Sequence, residues 1–505
     1  MTATIIGIDL GTTNCCAAYA DPQGNVRLIP YQGGEFTIPS VFAIDDKGQE
    51  LIGYEAKKQW QLNPKRTVYA SKRLVGAEYG SELVKEVAQH VTYDITSNEH
   101  NEVVLILGQQ IWRVPEVASR ILGNIKRIAQ NQLKQDITKA VVTVPAYYNH
   151  RQRQAVREAG KIAALEIVHI INEPTAAALA YGAGRCLTKT LAIYDLGGGT
   201  FDLSIIEVRD QVFEVKATGG DVFLGGIDFD NALIQLTLSD FSARHGIELV
   251  QDAVAMQRLR DVAERAKIDL SSCNKAQLSV PYITTNPKGE PIHLEFSVKR
   301  DELEMLVQPL VDRTIATCMR VIDDAGLTRE QIDEVLLVGG QTRMPLVQKA
   351  VTDFFLKPPS KAVHPDEAVA IGAALYAYNI NRGQNERIQL LDVLPMAISI
   401  ETAHGTLHPI FERNSAVPNR RQFTFTTHKD NQNDLVMRLF QGDKPEADQN
   451  HLLGEFTFSG LRPGPAGSVH VEVVFDVTDE GILELEAKDL DTGAVMHKSI
   501  RFQRR

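Results

Sequence analysis

Two aspartates, Asp9 and Asp195, stand at matching places in the chain, 186 positions apart. The first ends the apolar run Ile6-Gly7-Ile8 and opens Asp9-Leu10-Gly11-Thr12-Thr13-Asn14. The second ends Ala192-Ile193-Tyr194 and opens Asp195-Leu196-Gly197-Gly198-Gly199-Thr200-Phe201-Asp202. Each apolar run predicts a buried strand. Glycine lets the turn adopt positive φ and lets backbone approach a ligand. Free N–H groups with threonine hydroxyls suit phosphate oxygens, and a carboxylate at a strand end suits a hydrated metal ion. Two such hairpins facing each other would grip a nucleotide polyphosphate from both sides. A third element, Val335-Leu336-Leu337-Val338-Gly339-Gly340-Gln341-Thr342-Arg343, runs a strand into a Gly-Gly turn. There an adenosine could lie on backbone and the Arg343 guanidinium could stack on a purine. Taken alone, it is a common turn.

The elements that must carry these loops are legible as alternating strands and helices up to about residue 380. Val103–Leu107 predicts a strand, and Pro115 opens a helix with Val117, Ile121, Ile125 and Ile128 on one face. Ala140–Val144 predicts a buried strand stopped by Pro145, Gln152–Ile162 a helix, and Ile167–Ile171 a strand. Such alternation implies an α/β architecture, and the repeated hairpin suggests two related lobes with the ligand between them. After Tyr378 the character changes. Asn379–Arg387 is polar, Ile388-Gln389-Leu390-Leu391-Asp392-Val393 is a short apolar strip, and no helical periodicity follows. Val469, Val471, Val473, Phe475 and Val477 alternate with mostly polar residues, turn at Asp479-Glu480-Gly481, and resume at Leu483, Leu485 and Ala487, which predicts a half-buried β-hairpin. Phe423 and Phe425, then Leu435, Met437 and Leu439, repeat the pattern, so residues 394–505 read as an all-β module.

Composition narrows the class. At 505 residues the chain has room for about three domains. A net charge of −11 argues against a nucleic-acid-binding surface, which would need a basic patch. The five cysteines (Cys15, Cys16, Cys186, Cys273, Cys318) have no C-x-x-C spacing and fit a reducing, cytoplasmic setting. Asp9 interrupts the N-terminal segment early, so no secretory signal is expected, and no apolar run is long enough to predict a membrane-spanning helix. There is no G-x-x-x-x-G-K-[ST] loop, no H-E-x-x-H and no Cys/His zinc spacing.

Taken together, the motifs make the chain recognisable. It resembles the seventy-kilodalton heat-shock (Hsp70) chaperone family, within the actin-like and sugar-kinase-like ATPase group. The resemblance rests on the two Asp-Leu-Gly hairpins, Ser71-Lys72-Arg73-Leu74-Val75-Gly76, Val144-Pro145-Ala146-Tyr147-Tyr148-Asn149, Ile171-Asn172-Glu173-Pro174-Thr175-Ala176-Ala177, Gly339-Gly340-Gln341-Thr342-Arg343 and Pro365-Asp366-Glu367-Ala368-Val369. It implies a two-lobed actin-like ATPase domain of duplicated ribonuclease-H-like subdomains over residues 1–383, an interdomain linker over 384–394 and a β-sandwich peptide-binding domain over 395–505. It implies ATP or ADP with Mg²⁺, and K⁺ as a possible further ion. Asp9, Asp195 and Asp202 would hold the metal mainly through water. Gly11, Thr12, Thr13, Asn14, Gly197, Gly198, Gly199, Thr200, Gly225 and Gly226 would surround the phosphates. Lys72 and Glu173, with Thr200 and Asp202, would serve hydrolysis. Glu264, Lys267, Ile268, Ser271, Gly339, Gly340, Arg343 and Asp366 would form the adenosine pocket, with Ile268 giving an apolar contact. Without the family, Lys72 reads as a solvated lysine, Asp9 and Asp202 as turn formers, and Glu173-Pro174 as a helix start.

By the same resemblance, Ile400, Thr402, Ala403, Phe425, His428, Leu435, Met437 and Val471 would meet an extended apolar peptide; otherwise they read as sandwich core. Ala403 and His428 imply an arch over the peptide that is weak or differently selective. Leu390, Leu391 and Asp392 of the linker, with Pro145 and Arg153, would relay nucleotide state, and Gln389 weakens the strip. His169 stands where a J-domain partner is commonly met by arginine. Partners implied are unfolded clients, a J-domain co-chaperone and a nucleotide-exchange factor, with no nucleic acid and no membrane. No helical lid is expected within these 505 residues, and without one bound peptide is expected to exchange quickly. A small-molecule kinase of the same superfamily would share the cleft chemistry but leaves the β-module unexplained. A scaffold that binds ATP without turnover is opposed by Lys72, Glu173 and Thr200.

Overall fold

The structure is a computed structural model that describes residues 4–380, 388–402 and 405–501. Two six-stranded sheets carry the α/β part. The first runs Glu166–Asn172, Lys139–Val144, Ile5–Asp9, Asn14–Ala20, Val26–Leu28, with Thr37–Pro39 also pairing with Asn14–Ala20. The second runs Glu334–Val338, Thr188–Leu196, Phe201–Arg209, Val212–Asp221, Gln389–Val393, Ala416–Val417. In each, the strand carrying the motif aspartate near its end pairs antiparallel with the next strand and parallel with a later one: Ile6 lies opposite Tyr19 and Ala140, and Ile193 opposite Ser204 and Leu336. The strands are apolar because both faces are covered.

Between the sheets lie two alanine-rich helices, Glu173–Gly182 and Ala368–Ile380, whose Ala177, Leu179, Ala373 and Ala377 pack with Ile5, Val141, Leu191 and Ile193. They approach backbone to backbone. A Cβ on Gly372 would sit 1.7 Å from the Ala176 carbonyl oxygen, so only glycine fits. Separate apolar cores fill the outer side of each sheet.

The expected strands and helices before residue 380 form, the strands as Val103–Leu107, Lys139–Val144 and Glu166–Asn172 and the first helix as Val114–Leu133. The helix foreseen from Gln152 begins at His150, because Asn149 and Gln152 make a reciprocal capping box: Asn149 Oδ1 accepts the Gln152 N–H at 3.0 Å, and Gln152 Oε1 accepts the Asn149 N–H at 2.9 Å.

From Ile398 the described chain is β with one short 3₁₀ turn at Ala447–Gln449. A five-stranded sheet (Leu407–Phe411, Ile398–Glu401, Asp434–Gln441, His451–Ser459, His497–Arg501) faces a three-stranded one (Asn419–Thr426, His470–Val477, Leu483–Asp489). Their inner residues, among them Ile398, Leu439, Phe458, Val473, Phe475 and Leu485, form one core. The hairpin Val471–Ala487 forms as its alternation predicts. Phe423–Phe425 and Leu435–Leu439 lie in opposite sheets, each the inward face of its own strand.

Within the strip Ile388–Val393, Gln389–Val393 is a strand. Val212, Phe213 and Glu214 pair in parallel with Gln389, Leu390 and Leu391, and Asp392 and Val393 pair with Val417 and Ala416.

Candidate functional site

The two Asp-Leu-Gly turns meet. A Cβ on Gly198 would stand 1.9 Å from Thr13 Oγ1, and one on Gly199 would stand 2.5 Å from Thr12 Cγ2. The hairpins therefore touch across the gap between the lobes, and only glycine lets them come so close. They bound a cleft of about 410 Å³, a size suited to a small-molecule ligand. Of the residues named for a nucleotide, Asp9, Gly11, Thr12, Thr13, Asn14, Lys72, Glu173, Asp195, Gly197, Gly198, Thr200, Gly226, Glu264, Lys267, Ile268, Gly339, Gly340, Arg343 and Asp366 line it. Four lie off its surface. Gly199 and Asp202 are buried behind it. Gly225 packs on Gly199, where a Cβ would be 2.5 Å from the Gly199 nitrogen. Ser271 caps the C-terminus of helix Ala253–Leu270.

Lys72 is only 8% exposed. Its ammonium donates to Glu173 Oε1 at 2.6 Å, and its backbone carbonyl accepts the Tyr148 hydroxyl at 2.9 Å. Burial works against the ammonium, but Glu173, then Tyr148 and Asp9, outweigh it and hold it protonated. The carboxylates have less support. Burial, then the Glu173 charge, pushes Asp9 up to about 7. Burial, then Glu173, pushes Asp202 up to about 8, although Tyr147 N–H donates to it at 3.3 Å. Asp195 is raised well above the usual carboxylate range by burial, then Glu173, Asp202 and Asp9. The buried Asp195 and Asp202 and the half-buried Asp9 share one lysine, a site short of positive charge, which fits a cation. Among the described residues no three His, Cys, Asp or Glu side chains converge closely enough to ligate one ion directly.

The outer cleft is gated by contacts between lobes. Lys57 lies 3.5 Å from Glu264, Gln61 Nε2 donates to Asp261 at 2.8 Å, and Arg260 Nη1 donates to the Tyr69 hydroxyl at 3.0 Å. Lys267 donates to the Gly226 carbonyl at 3.0 Å and pairs with Asp230 at 2.9 Å. Arg343 pairs with Asp366 at 2.6 Å, and Ile268 is 59% exposed on the rim. Lys57, Trp60, Tyr69, Asp230 and Arg260 line the cleft but carry no local sequence signal. Cys15 and Cys16 are buried, and burial pushes both thiols up, as expected of packed small residues.

A second site lies where the β-module meets the α/β lobes. Pro145 ends its strand and is buried. Arg153 donates to the Tyr148 carbonyl at 3.1 Å and to Asn172 Oδ1 at 2.8 Å. Asp392 accepts from Asn172 Nδ2 at 2.8 Å and from the Thr175 hydroxyl at 3.1 Å. Leu390 is half-buried in the docked strand, and Leu391 is exposed. From the sandwich, Glu480 accepts the Ile170 N–H at 3.0 Å and pairs with Arg157, and His169 Nδ1 lies 3.4 Å from it. His150 Nδ1 accepts the Leu483 N–H at 3.0 Å, and Gln441 Oε1 accepts the His150 N–H at 3.2 Å. Arg413 pairs with Asp324 at 2.9 Å. Glu480, His150, Gln441 and Arg413 were not singled out from sequence.

Of the residues named for a peptide, Ile400, Thr402, Phe425 and Leu435 are half-buried, and His428 is exposed. Met437 and Val471 lie inside the sandwich core. Ala403 falls outside the described residues. No described helix is long and apolar enough to cross a membrane.

Against this geometry, a family model described as Hsp70 protein matches residues 5–505. The chain belongs to the Hsp70 family, whose members are ATP-binding, ATP-hydrolysing chaperones that act in protein folding and stress response.

Proposed function

We propose that this chain couples ATP hydrolysis in the cleft to the capture and release of extended apolar peptide by its β-module. The observation that carries the reading is the meeting of the two hairpins beside the buried Lys72–Glu173 pair. The backbone of Gly11–Asn14 and Gly197–Thr200 would hold phosphates, with Thr12, Thr13 and Thr200 adding hydroxyls. Glu264, Lys267, Ile268, Ser271, Gly339, Gly340, Arg343 and Asp366 would hold the nucleoside. Mg²⁺, held by Asp9, Asp195 and Asp202 through water, would supply charge neutralisation of the phosphates. Lys72, held by Glu173, would orient the attacking water and add a fixed positive charge beside the transferred phosphoryl group. Phosphoryl transfer needs such placement and neutralisation more than a strong base.

The assignments of residues 1–383 to the ATPase domain, 384–394 to the linker and 395–505 to the peptide-binding domain belong to this proposal. So does a duplicated ribonuclease-H-like origin for the lobes, supported by the like pairing of Ile5–Asp9 and Thr188–Leu196. The relay has a continuous path. Asp392 holds Asn172 and Thr175, which flank Glu173, and Arg153 holds Asn172 from the other side. A change at Glu173 would thus reach the docked strand within one turn of helix. Peptide would bind at Ile400, Thr402, Ala403, Phe425, His428 and Leu435, with Met437 and Val471 supporting them from the core. J-domain and exchange-factor partners would act on the same cycle.

The test is the dissociation rate of a fluorescent unfolded apolar peptide from the full chain. Release should be at least about tenfold faster with ATP than with ADP, a shift of coupling typical of linked sites. Equal rates would refute the proposal.

A further inference from the structure

Lys72 has a neighbour whose side chain leaves the lobe. Ser71–Leu74 is a single 3₁₀ turn, entered through Ala70 at φ 55°, and it sends Lys72 into the cleft and Arg73 across to the other lobe. The Arg73 guanidinium makes three directed contacts there. Its Nε donates to the Gly199 carbonyl at 3.0 Å, Nη1 to Asp228 Oδ1 at 3.1 Å, and Nη2 to Asp228 Oδ2 at 2.5 Å. Its planar face also lies over the Phe223 ring at 5.2 Å. The side chain is 4% exposed and that of Asp228 is 14% exposed.

What Arg73 grips is itself tied to the second hairpin. Asp228 Oδ2 accepts the Gly225 N–H at 2.7 Å, at the start of helix Gly226–His245. The Gly226 N–H donates to the Gly197 carbonyl, and that of Ile227 to the Gly198 carbonyl, both at 2.9 Å. Gly197–Gly199 and Gly225–Ile227 thus form one backbone unit. A forked guanidinium fixes both distance and direction to a carboxylate, which an ammonium cannot reproduce.

We infer that Arg73 is a positioning residue for hydrolysis: by holding Asp228 and the Gly199 carbonyl from the opposite lobe, it sets where Lys72 stands relative to the Gly198–Thr200 loop. The inference rests on the reading that the cleft hydrolyses ATP. Cleft closure and the placement of the Lys72 ammonium are then one event, because adjacent residues of a rigid turn perform them. A displacement of about 1 Å in such a group can cost about a hundredfold in rate.

The experiment compares the wild-type full chain with Arg73→Gln, Arg73→Lys, Asp228→Asn and the Arg73→Gln/Asp228→Asn pair. Single-turnover ATP hydrolysis and dissociation of a fluorescent ADP analogue are measured on each, with melting temperature as a fold control. Arg73→Gln should hydrolyse at least about tenfold more slowly and release the analogue several-fold faster. Arg73→Lys should keep the wild-type melting temperature yet recover neither rate. The pair should lose no more than Arg73→Gln alone, because both substitutions break one contact. If Arg73→Gln melts far below the wild type, Arg73→Lys carries the test. Wild-type hydrolysis in a folded variant at Arg73 would overturn the inference. A wild-type chain that hydrolyses no ATP would overturn the functional reading instead, and analogue release would still decide whether the clasp exists.

Discussion

The cleft and the docking surface both bury ionisable groups and treat them in opposite ways. In the cleft, Asp9, Asp195 and Asp202 are driven toward neutrality by burial and then by the Glu173 charge. On the docking surface the buried groups find complements within the chain: Glu480 has Arg157 and the Ile170 N–H, Asp392 has Asn172 and Thr175, and His150 has the Leu483 N–H. A buried charge without a partner is costly, whereas a satisfied one is tolerated. The cleft is thus built to be completed from outside, and the docking surface is complete once the β-module is seated.

The contrast breaks most visibly if Lys72 proves dispensable. Lys72→Ala should still bind ATP but hydrolyse it at least about a hundredfold more slowly in single turnover, the scale on which a preorganised charge acts. Glu480→Ala, on the docking side, removes the acceptor of both Arg157 and Ile170. It should loosen docking by about tenfold or more, read as interdomain energy transfer between fluorophores on the two domains, while ATP affinity changes little. The smallest effect is a titration. His150 is held down at about 4 by burial, then by Arg151, Arg153 and Lys498, and His169 is lowered by burial despite Glu480 and Asp479, with Arg157 adding to the lowering. Protonating His150 would set an N–H against the Leu483 N–H. Its contribution to docking is therefore present in full above the free value near 6.5 and is lost as pH falls toward about 4. Docking should weaken by about tenfold between pH 7.5 and 5.5, and His150→Gln should flatten that slope.

Most of the cleft was legible because its chemistry is local in sequence. A strand, an aspartate and a glycine turn announce themselves within a dozen residues, and Lys72 and Glu173 lie in motifs of their own. Gly199, Gly225, Asp202 and Ser271 were drawn into the same picture, although they support the cleft from behind or beside it. What escaped notice depends on distant pairing. Arg73 beside Lys72, Glu480 in a plain Asp-Glu-Gly turn and Gln441 at a strand end acquire meaning only once residues 126 to 323 positions away are brought against them. The strip Ile388–Val393 read as a short apolar linker without a named partner, because the strand it pairs with, Val212–Glu214, lies nearly two hundred residues earlier. Asn149-x-x-Gln152 was local and readable, and it would have moved the helix start to His150.

The most direct test of the central claim is calorimetric titration of Mg-ATP into the full chain and into Gly198→Ala, whose added methyl would fall 1.9 Å from Thr13 Oγ1 and force the hairpins apart. The account predicts one nucleotide bound per wild-type chain and a loss of affinity of at least about a hundredfold in the variant, because the ligand bridges both loops. Wild-type affinity in Gly198→Ala, or no nucleotide bound to either protein, would contradict it.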